Sequence, residues 1–235
     1  MKKLKFRPMD LGSHPYVLGK PFAEDTYIEK AFLKFKKKYG IVNAIETGTH
    51  VGATFIWLYN NFDNVYTCEI KEEYYQIACS LIFGRISEDE HFENEIVNPP
   101  SLGKMMMKNI DSVDFMKEIC PKLTGESIFF LDAHWKSHCP LLDELKAISE
   151  ANLKPAVIAI HDFKTDHPDV LGYDVYNGRS YDLDWIKPSI DSIYGANWSF
   201  EYNAPEEATG ALRGIIYIKR EDGQLFFKNS SNLHN

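Results

Sequence analysis

No stretch of the 235-residue chain approaches the roughly 18 consecutive apolar residues that a membrane helix needs. The N-terminal "MKKLKFRPMDLGSHPY" begins basic but lacks the apolar segment of a secretory signal. A cytoplasmic protein is therefore expected, with no membrane partner. Cysteine is scarce: Cys68, Cys79, Cys120 and Cys139 form no CxxC pair. That spacing suggests neither a zinc knuckle nor a disulfide framework, and reduced thiols in or near the core are expected. Positive charge is also short. Twenty-six Lys and Arg face 34 Asp and Glu, for a net charge of -8, and the pI is about 5.5. Such a surface repels phosphate backbones, which argues against nucleic acid as a partner. Two basic clusters, "KKLKFR" at Lys2 to Arg7 and "KFKKK" at Lys34 to Lys38, read as a solvated arm and a solvated helix face. There is no internal repeat and no low-complexity tract.

What is present is apolar material at 44%, with 14% aromatic residues, enough for one sizeable core. Residues 1–40 read as an irregular, proline-bearing arm followed by a helix, and 41–235 as one globular domain. Ile28, Phe32, Phe35 and Tyr39 fall at helical spacing, with Gly40 as a stop. An alternation follows. Strands are expected at "IVNAIE", "NVYTCEI", "SIFFLD" and "PAVIAIHD", and a third in chain order at "MMMKNI". Helices are expected at "VGATFIWLYNNF", "KEEYYQIACSLIFGRI", "SVDFMKEIC", "PLLDELKAISEA" and "DLDWIKPSIDSIY", the last with a kink at Pro188. "WSFEYN", "GIIYIKR" and "QLFFKN" close the chain as strands, the last two joined by a turn at "EDG". Alternating strands and helices predict a doubly wound, Rossmann-like α/β fold with a mostly parallel sheet and an antiparallel C-terminal hairpin.

In such a sheet, ligands sit beyond the carboxyl ends of the strands. Those ends are Glu46, Glu69, Asp132 and the pair His161-Asp162. Four apolar strands ending in ionisable side chains would converge on one rim, which marks a site. The segment "AIETGTHVGAT" places Gly48, Thr49 and Gly52 in the first strand-to-helix turn, where glycine lets a ligand approach the backbone. The spacing is not GxGxxG, so the dinucleotide fingerprint is absent. Glu69 ends the second strand, where a carboxylate can accept both hydroxyls of a ribose. Together these fit an adenosine-containing ligand without a pyrophosphate. Asp111 and Ser112 suit a helix N-cap and a ligand contact equally. His50 lies in the glycine turn near the ligand. His138 and Cys139, with His134 and His161, match no standard zinc spacing.

At these residues the chain resembles the class I S-adenosylmethionine-dependent methyltransferases. The likeness is carried by "IETGTHVGAT", "VYTCEI", "NIDSVDFM" and "FFLDAHW", and covers roughly residues 41–220. It implies a seven-stranded sheet and a cofactor site of Glu46, Gly48, Thr49, Gly52, Glu69, Asp111, Ser112 and Asp132. More narrowly, "LDAHW…CPLLDEL" and "IHDF…GYDVY" resemble a bacterial branch of small-molecule and sugar O-methyltransferases. That branch implies a divalent metal, magnesium or manganese, on Asp132 and Asp162. His161 stands where a second carboxylate would be, and a histidine suits manganese, iron or zinc better than magnesium.

The implied reaction is direct methyl transfer to a small polar acceptor such as a sugar. His134 or His161 would take the hydroxyl proton as general base, or a metal would lower its pKa, with Asp162 completing the catalytic group. Trp135, Tyr173, Tyr176 and Trp185 are candidates for an acceptor wall. The polar loop from Phe163 to Tyr181, with Asp166, Asp169 and Asp174, and Asp182 just beyond it, is expected to act as a lid. The rival readings are a nicotinamide-dependent oxidoreductase, disfavoured by the missing GxGxxG, and a silent scaffold of the same fold. A protein substrate and an oligomeric state are left open.

Overall fold

The structure, a computed structural model, describes residues 20–83, 105–134 and 137–221, without the side chains of 81–83. The basic arm, the "NPPSLGK" segment, Trp135 and the expected "QLFFKN" strand lie outside the described residues. Among them, no helix is long and apolar enough to cross a membrane.

Five parallel strands run in the order expected of a doubly wound sheet. They are β1 (Asn43–Thr47), β2 (Asn64–Glu69), β3 (Met105–Asn109), β4 (Ser127–Leu131) and β5 (Val157–His161). A tiny hairpin, β6 (Val175–Tyr176) with β7 (Arg179–Ser180), stands apart. β8 (Trp198–Tyr202) and β9 (Ile215–Arg220) complete a seven-stranded sheet of order β3-β2-β1-β4-β5-β9-β8. β9 is antiparallel to both neighbours. The antiparallel finish is thus present, but with different partners from those expected. β9 pairs with the earlier strand β8 across residues 203–214, and its other edge is taken by β5. No edge of β9 is left for the tight "EDG" hairpin.

The period-2 alternation of strand side chains splits the core in two. Ala44, Ile128, Phe130, Val157, Ala159, Ile215 and Tyr217 face one side. Ile45, Phe129, Leu131, Ile158, Ile160, Ile216 and Ile218 face the other. On the first side pack α1 (Thr26–Tyr39), α2 (Ala53–Asn61) and α3 (Glu72–Phe83); on the second, α4 (Ser112–Ile119), α5 (Leu141–Glu150) and α6 (Leu183–Tyr194). α1 is started by Asp25, whose carboxylate accepts from Tyr27 N and Ile28 N, and stopped by Gly40 in the left-handed region. α6 continues through Pro188 as one helix. All four cysteines are free, three of them buried.

Ahead of α1 the chain makes an unusual turn. Phe22, Ala23 and Glu24 all have positive φ, which costs non-glycine residues roughly 1–2 kcal/mol each. Packing compensates: the buried Phe22 ring meets Phe32, Trp57 and Phe130 at centroid distances of 5.1, 5.2 and 5.1 Å. This aromatic knot joins α1, α2 and β4 beneath the carboxyl end of the sheet. Phe32→Ala is expected to lower the unfolding free energy by about 3–5 kcal/mol, measured by urea denaturation. A loss under about 1 kcal/mol would mean that α1 is not part of the cooperative core.

Candidate functional site

The alternation that builds the core also aims the charged strand ends. Glu46 and Thr67 are register partners on adjacent strands, and the Thr67 hydroxyl donates to Glu46 Oε2 at 2.9 Å. Thr67 also meets the Thr49 hydroxyl at 2.5 Å. The β1–α2 turn then folds across β2, with Gly48 N and Thr49 N donating to Cys68 O at 3.1 and 3.0 Å. Gly48 has φ +85°, and a Cβ there would lie 2.6 Å from the backbone oxygen of Asp132. Only glycine lets the turn sit this close to the end of β4. Gly52, φ +88°, opens α2.

Above this turn lies a cavity of about 500 Å³, within the usual range for small-ligand sites. It sits between β1 and β4, where the strand order reverses. Its wall includes Glu46, Gly48, Thr49, Glu69, Asp111, Ser112 and Asp132. Gly52 is off the wall, although its neighbours Val51 and Ala53 are on it. His50 lines it as well, and His134 and Asp162 lie at one end. His161 does not reach it.

The cavity is acidic. Glu46 is fully enclosed, and burial, with the nearby charges of Asp132 and Glu69, pushes its pKa well up against the opposing Thr67 bond. Each Glu69 oxygen accepts one backbone N–H at 2.8 Å, from His50 and from Lys71. That fixes the carboxylate and leaves one lone pair on each oxygen. Asp111 caps α4 by accepting from Val113 N at 2.9 Å, and its other oxygen lies 3.6 Å from His138.

At the β4–β5 end the groups form a tight ionic cluster. His134 Nε2 is 2.7 Å from Asp162 Oδ2, 3.7 Å from Asp132 and 3.6 Å from Asp174. Its Nδ1 faces the Tyr181 hydroxyl at 3.5 Å. His161 Nδ1 lies 3.4 Å from both Asp132 and Asp162. Arg213, which precedes β9, donates from Nε to Asp162 Oδ1 and from Nη2 to Asp174 Oδ1. Tyr176 donates to Asp174 Oδ2 at 2.9 Å. Burial disfavours both imidazolium ions, but the Asp162 hydrogen bond at His134 and the aspartate charges around both rings, Asp132 foremost at His161, win. The pKa of His134 is raised, and that of His161 is pushed up to about 10. Burial of Asp162 works towards a higher value, yet His134, His161 and Arg213 hold it well below the usual carboxylate range.

Asp132, His161 and Asp162 form one trio of potential metal ligands; His134, Asp162 and Asp174 form another. Both depend on Asp162, each of whose oxygens has one partner, His134 or the fixed cation of Arg213, so a divalent ion on either trio would sit against a guanidinium. The donor set therefore does not fit the metal that the sequence implied.

Two further expectations change. The loop 163–181 is tied down rather than free: Asp174 turns inward to Arg213, and Lys164 N donates to Tyr181 O at 2.7 Å. Asp182 caps α6. None of Asp166, Asp169, Asp174 or Asp182 lines the cavity, whose wall is more apolar than polar. Tyr176 and Tyr181 pack against His134, behind the cavity wall, while Tyr173 and Trp185 are also off the wall. The sequence reading also missed two residues. Arg213 carried no motif. Glu144 on α5 is buried at 1% exposure and sat unremarked in a helical "LLDEL" pattern. Burial raises its pKa to about 7 against the hydroxyls of Ser112 and Thr47.

No protein-family model and no curated protein matches the chain. Solved structures do. An O-methyltransferase from Bacillus cereus in complex with SAH superposes with a TM-score of 0.53 at 17% identity, covering 85% of this chain and 84% of that one. A candidate O-methyltransferase from Klebsiella pneumoniae gives 0.53 at 12% identity, covering 86% and 84%. The methyltransferase domain of bacterial CtHen1-CN gives 0.50 at 9%, covering 83% and 98%. The chain has the class I methyltransferase fold. In this methyltransferase fold the cavity occupies the crevice beyond the carboxyl ends of the first and fourth strands.

Glu144 generates a pH prediction. Between its unfolded value near 4.5 and its folded value near 7, the native state holds a proton that the unfolded chain has lost. Stability therefore falls as pH rises through that window. Glu144→Gln is expected to flatten that part of the stability profile, measured by denaturant titration at several pH values. An unchanged slope would contradict the burial argument.

Proposed function

We propose that the protein is an S-adenosylmethionine-dependent methyltransferase acting on a hydroxyl group of a small molecule. The observation that carries this reading is an acidic cavity at the β1/β4 crevice, floored by a turn that only Gly48 permits. The donor set suits the cofactor. Carboxylates at Glu46 and Asp132 favour a cationic ligand, and Glu69 retains lone pairs for ribose hydroxyls. Asp111 and Ser112 bound the side where the base would lie, in keeping with the resemblance of "NIDSVDFM".

When bound, the cofactor supplies an already activated methyl group. The chain then has to orient the acceptor in line, keep water out and receive one proton. Both nitrogens of His134 face protein groups, and the ring is held towards the protonated form, so it is a poor general base. His161 is off the cavity. Asp132 is the better choice, since its side chain is 31% exposed and it lies on the wall. In this proposal Asp132 accepts the hydroxyl proton, while His134 and His161, backed by Asp162, hold its carboxylate in place. None of the loop aspartates lines the cavity, which removes the support they gave to a sugar acceptor. Carbohydrates therefore stand as one class of small hydroxylated acceptor among those to be tested.

Calorimetry with S-adenosylhomocysteine and with NAD separates this reading from a nicotinamide enzyme; binding of NAD alone would overturn it. Gly48→Ala is expected to weaken S-adenosylhomocysteine binding at least about tenfold, because the turn has to move. Asp132→Asn is expected to lower methyl transfer by about 100-fold or more while changing that affinity only about threefold. Turnover would be followed by transfer of labelled methyl to a panel of hydroxylated acceptors. Equal losses in turnover and affinity would remove Asp132 from the chemistry.

A further inference from the structure

We propose that Arg213 takes the place of the divalent metal at this rim, as a built-in cation that positions Asp162 and the loop behind it. Asp162 is common to both ligand trios, and its two oxygens are committed to His134 and to Arg213. Asp174, the remaining carboxylate of the second trio, is committed to Arg213 and Tyr176. One edge of the guanidinium, Nε and Nη2, thus spans two carboxylates as a bound ion would. The charge is permanent, and a divalent ion added to the same oxygens would meet it at close range.

The backbone is shaped around this side chain. A Cβ at Gly172 would lie 2.8 Å from Arg213 Nη1, and one at Gly214 would lie 2.1 Å from the backbone oxygen of Phe163. Gly172 N donates to Leu212 O, Gly214 N to Gly172 O, and Phe163 N to Gly214 O, at 2.9, 2.9 and 2.8 Å. Arg213 is therefore clamped on both sides, between Phe163, two residues beyond β5, and Gly172, ahead of the loop hairpin. Asp174 N donates to Asp162 O at 3.0 Å, so the carboxylates bridged by the guanidinium are also joined through the main chain. This is a closed network rather than a surface ion pair. Arg213 is a positioning residue. It fixes Asp162, which holds His134, which in turn stands beside Asp132.

Replacement of the metal by Arg213 follows from these contacts alone, whereas its catalytic consequence rests on the methyltransferase reading. The test keeps the two apart. Free manganese is titrated against the full-length protein by electron paramagnetic resonance, with calorimetry of S-adenosylhomocysteine in the presence of manganese or EDTA. The wild type is expected to bind no manganese in the submillimolar range. Arg213→Met, which keeps the bulk and removes the charge, is expected to gain manganese affinity by at least about tenfold. Stoichiometric manganese binding by the wild type, abolished by Asp162→Asn, would overturn the proposal whatever reaction the protein catalyses. If Arg213→Met fails to fold, the wild-type titration still decides. For the positioning role, Arg213→Lys keeps the charge but not the two-pronged edge. It is expected to lower kcat about tenfold or more with KM for the cofactor changed less than about threefold. An unchanged kcat would show that Arg213 does not position the site.

Discussion

The site hangs on Asp162. This residue leaves β5 with φ +55°, a conformation that a non-glycine residue keeps only when its surroundings impose it. The surroundings do so from two directions. His134, beyond β4, takes one carboxylate oxygen, and Arg213, ahead of β9, takes the other. The parallel and antiparallel parts of the sheet are thereby tied together at the rim where chemistry is proposed. The same aspartate anchors the loop through its backbone oxygen, so a segment read as a mobile lid is fastened at its base.

Charge explains the two halves of the cavity. At the β5 end, three aspartates (Asp132, Asp162 and Asp174) stand against Arg213 and two histidines whose protonated forms are favoured. That cluster is close to self-neutralising. At the other end, Glu46 accepts from the Thr67 hydroxyl and responds to burial with a raised pKa. A ligand that places positive charge there would let Glu46 ionise. The proposed cofactor carries both a sulfonium and an ammonium, either of which would supply that charge.

Much of this was legible in the chain. Apolar runs ending in Glu46, Glu69, Asp132 and His161-Asp162 placed the carboxyl edge of the sheet, because strand periodicity and the rule for open α/β sheets are local statements. Gly48 was legible for the same reason. Arg213 was not: it lies 51 residues beyond Asp162, and only the insertion of β9 beside β5 brings them together. Glu144 was hidden because helical spacing marks a face, not the depth to which that face is buried. The antiparallel finish was legible but not its pairing: "EDG" is a strong local turn signal, whereas β9 is claimed by two strands that precede it. The histidines were assigned as bases because their neighbours were unknown. Once Asp162 and Tyr181 stand against the nitrogens of His134, Asp132 becomes the base that the proposal favours.

The most direct measurement is a crystal structure of the protein with S-adenosylhomocysteine, grown with manganese present. The account predicts the amino-acid moiety against Gly48 and Glu46, the ribose at Glu69 and the sulfur turned towards Asp132, with Arg213 still bridging Asp162 and Asp174. A ligand bound outside this crevice, or a manganese ion on Asp162 with Arg213 displaced, would contradict it.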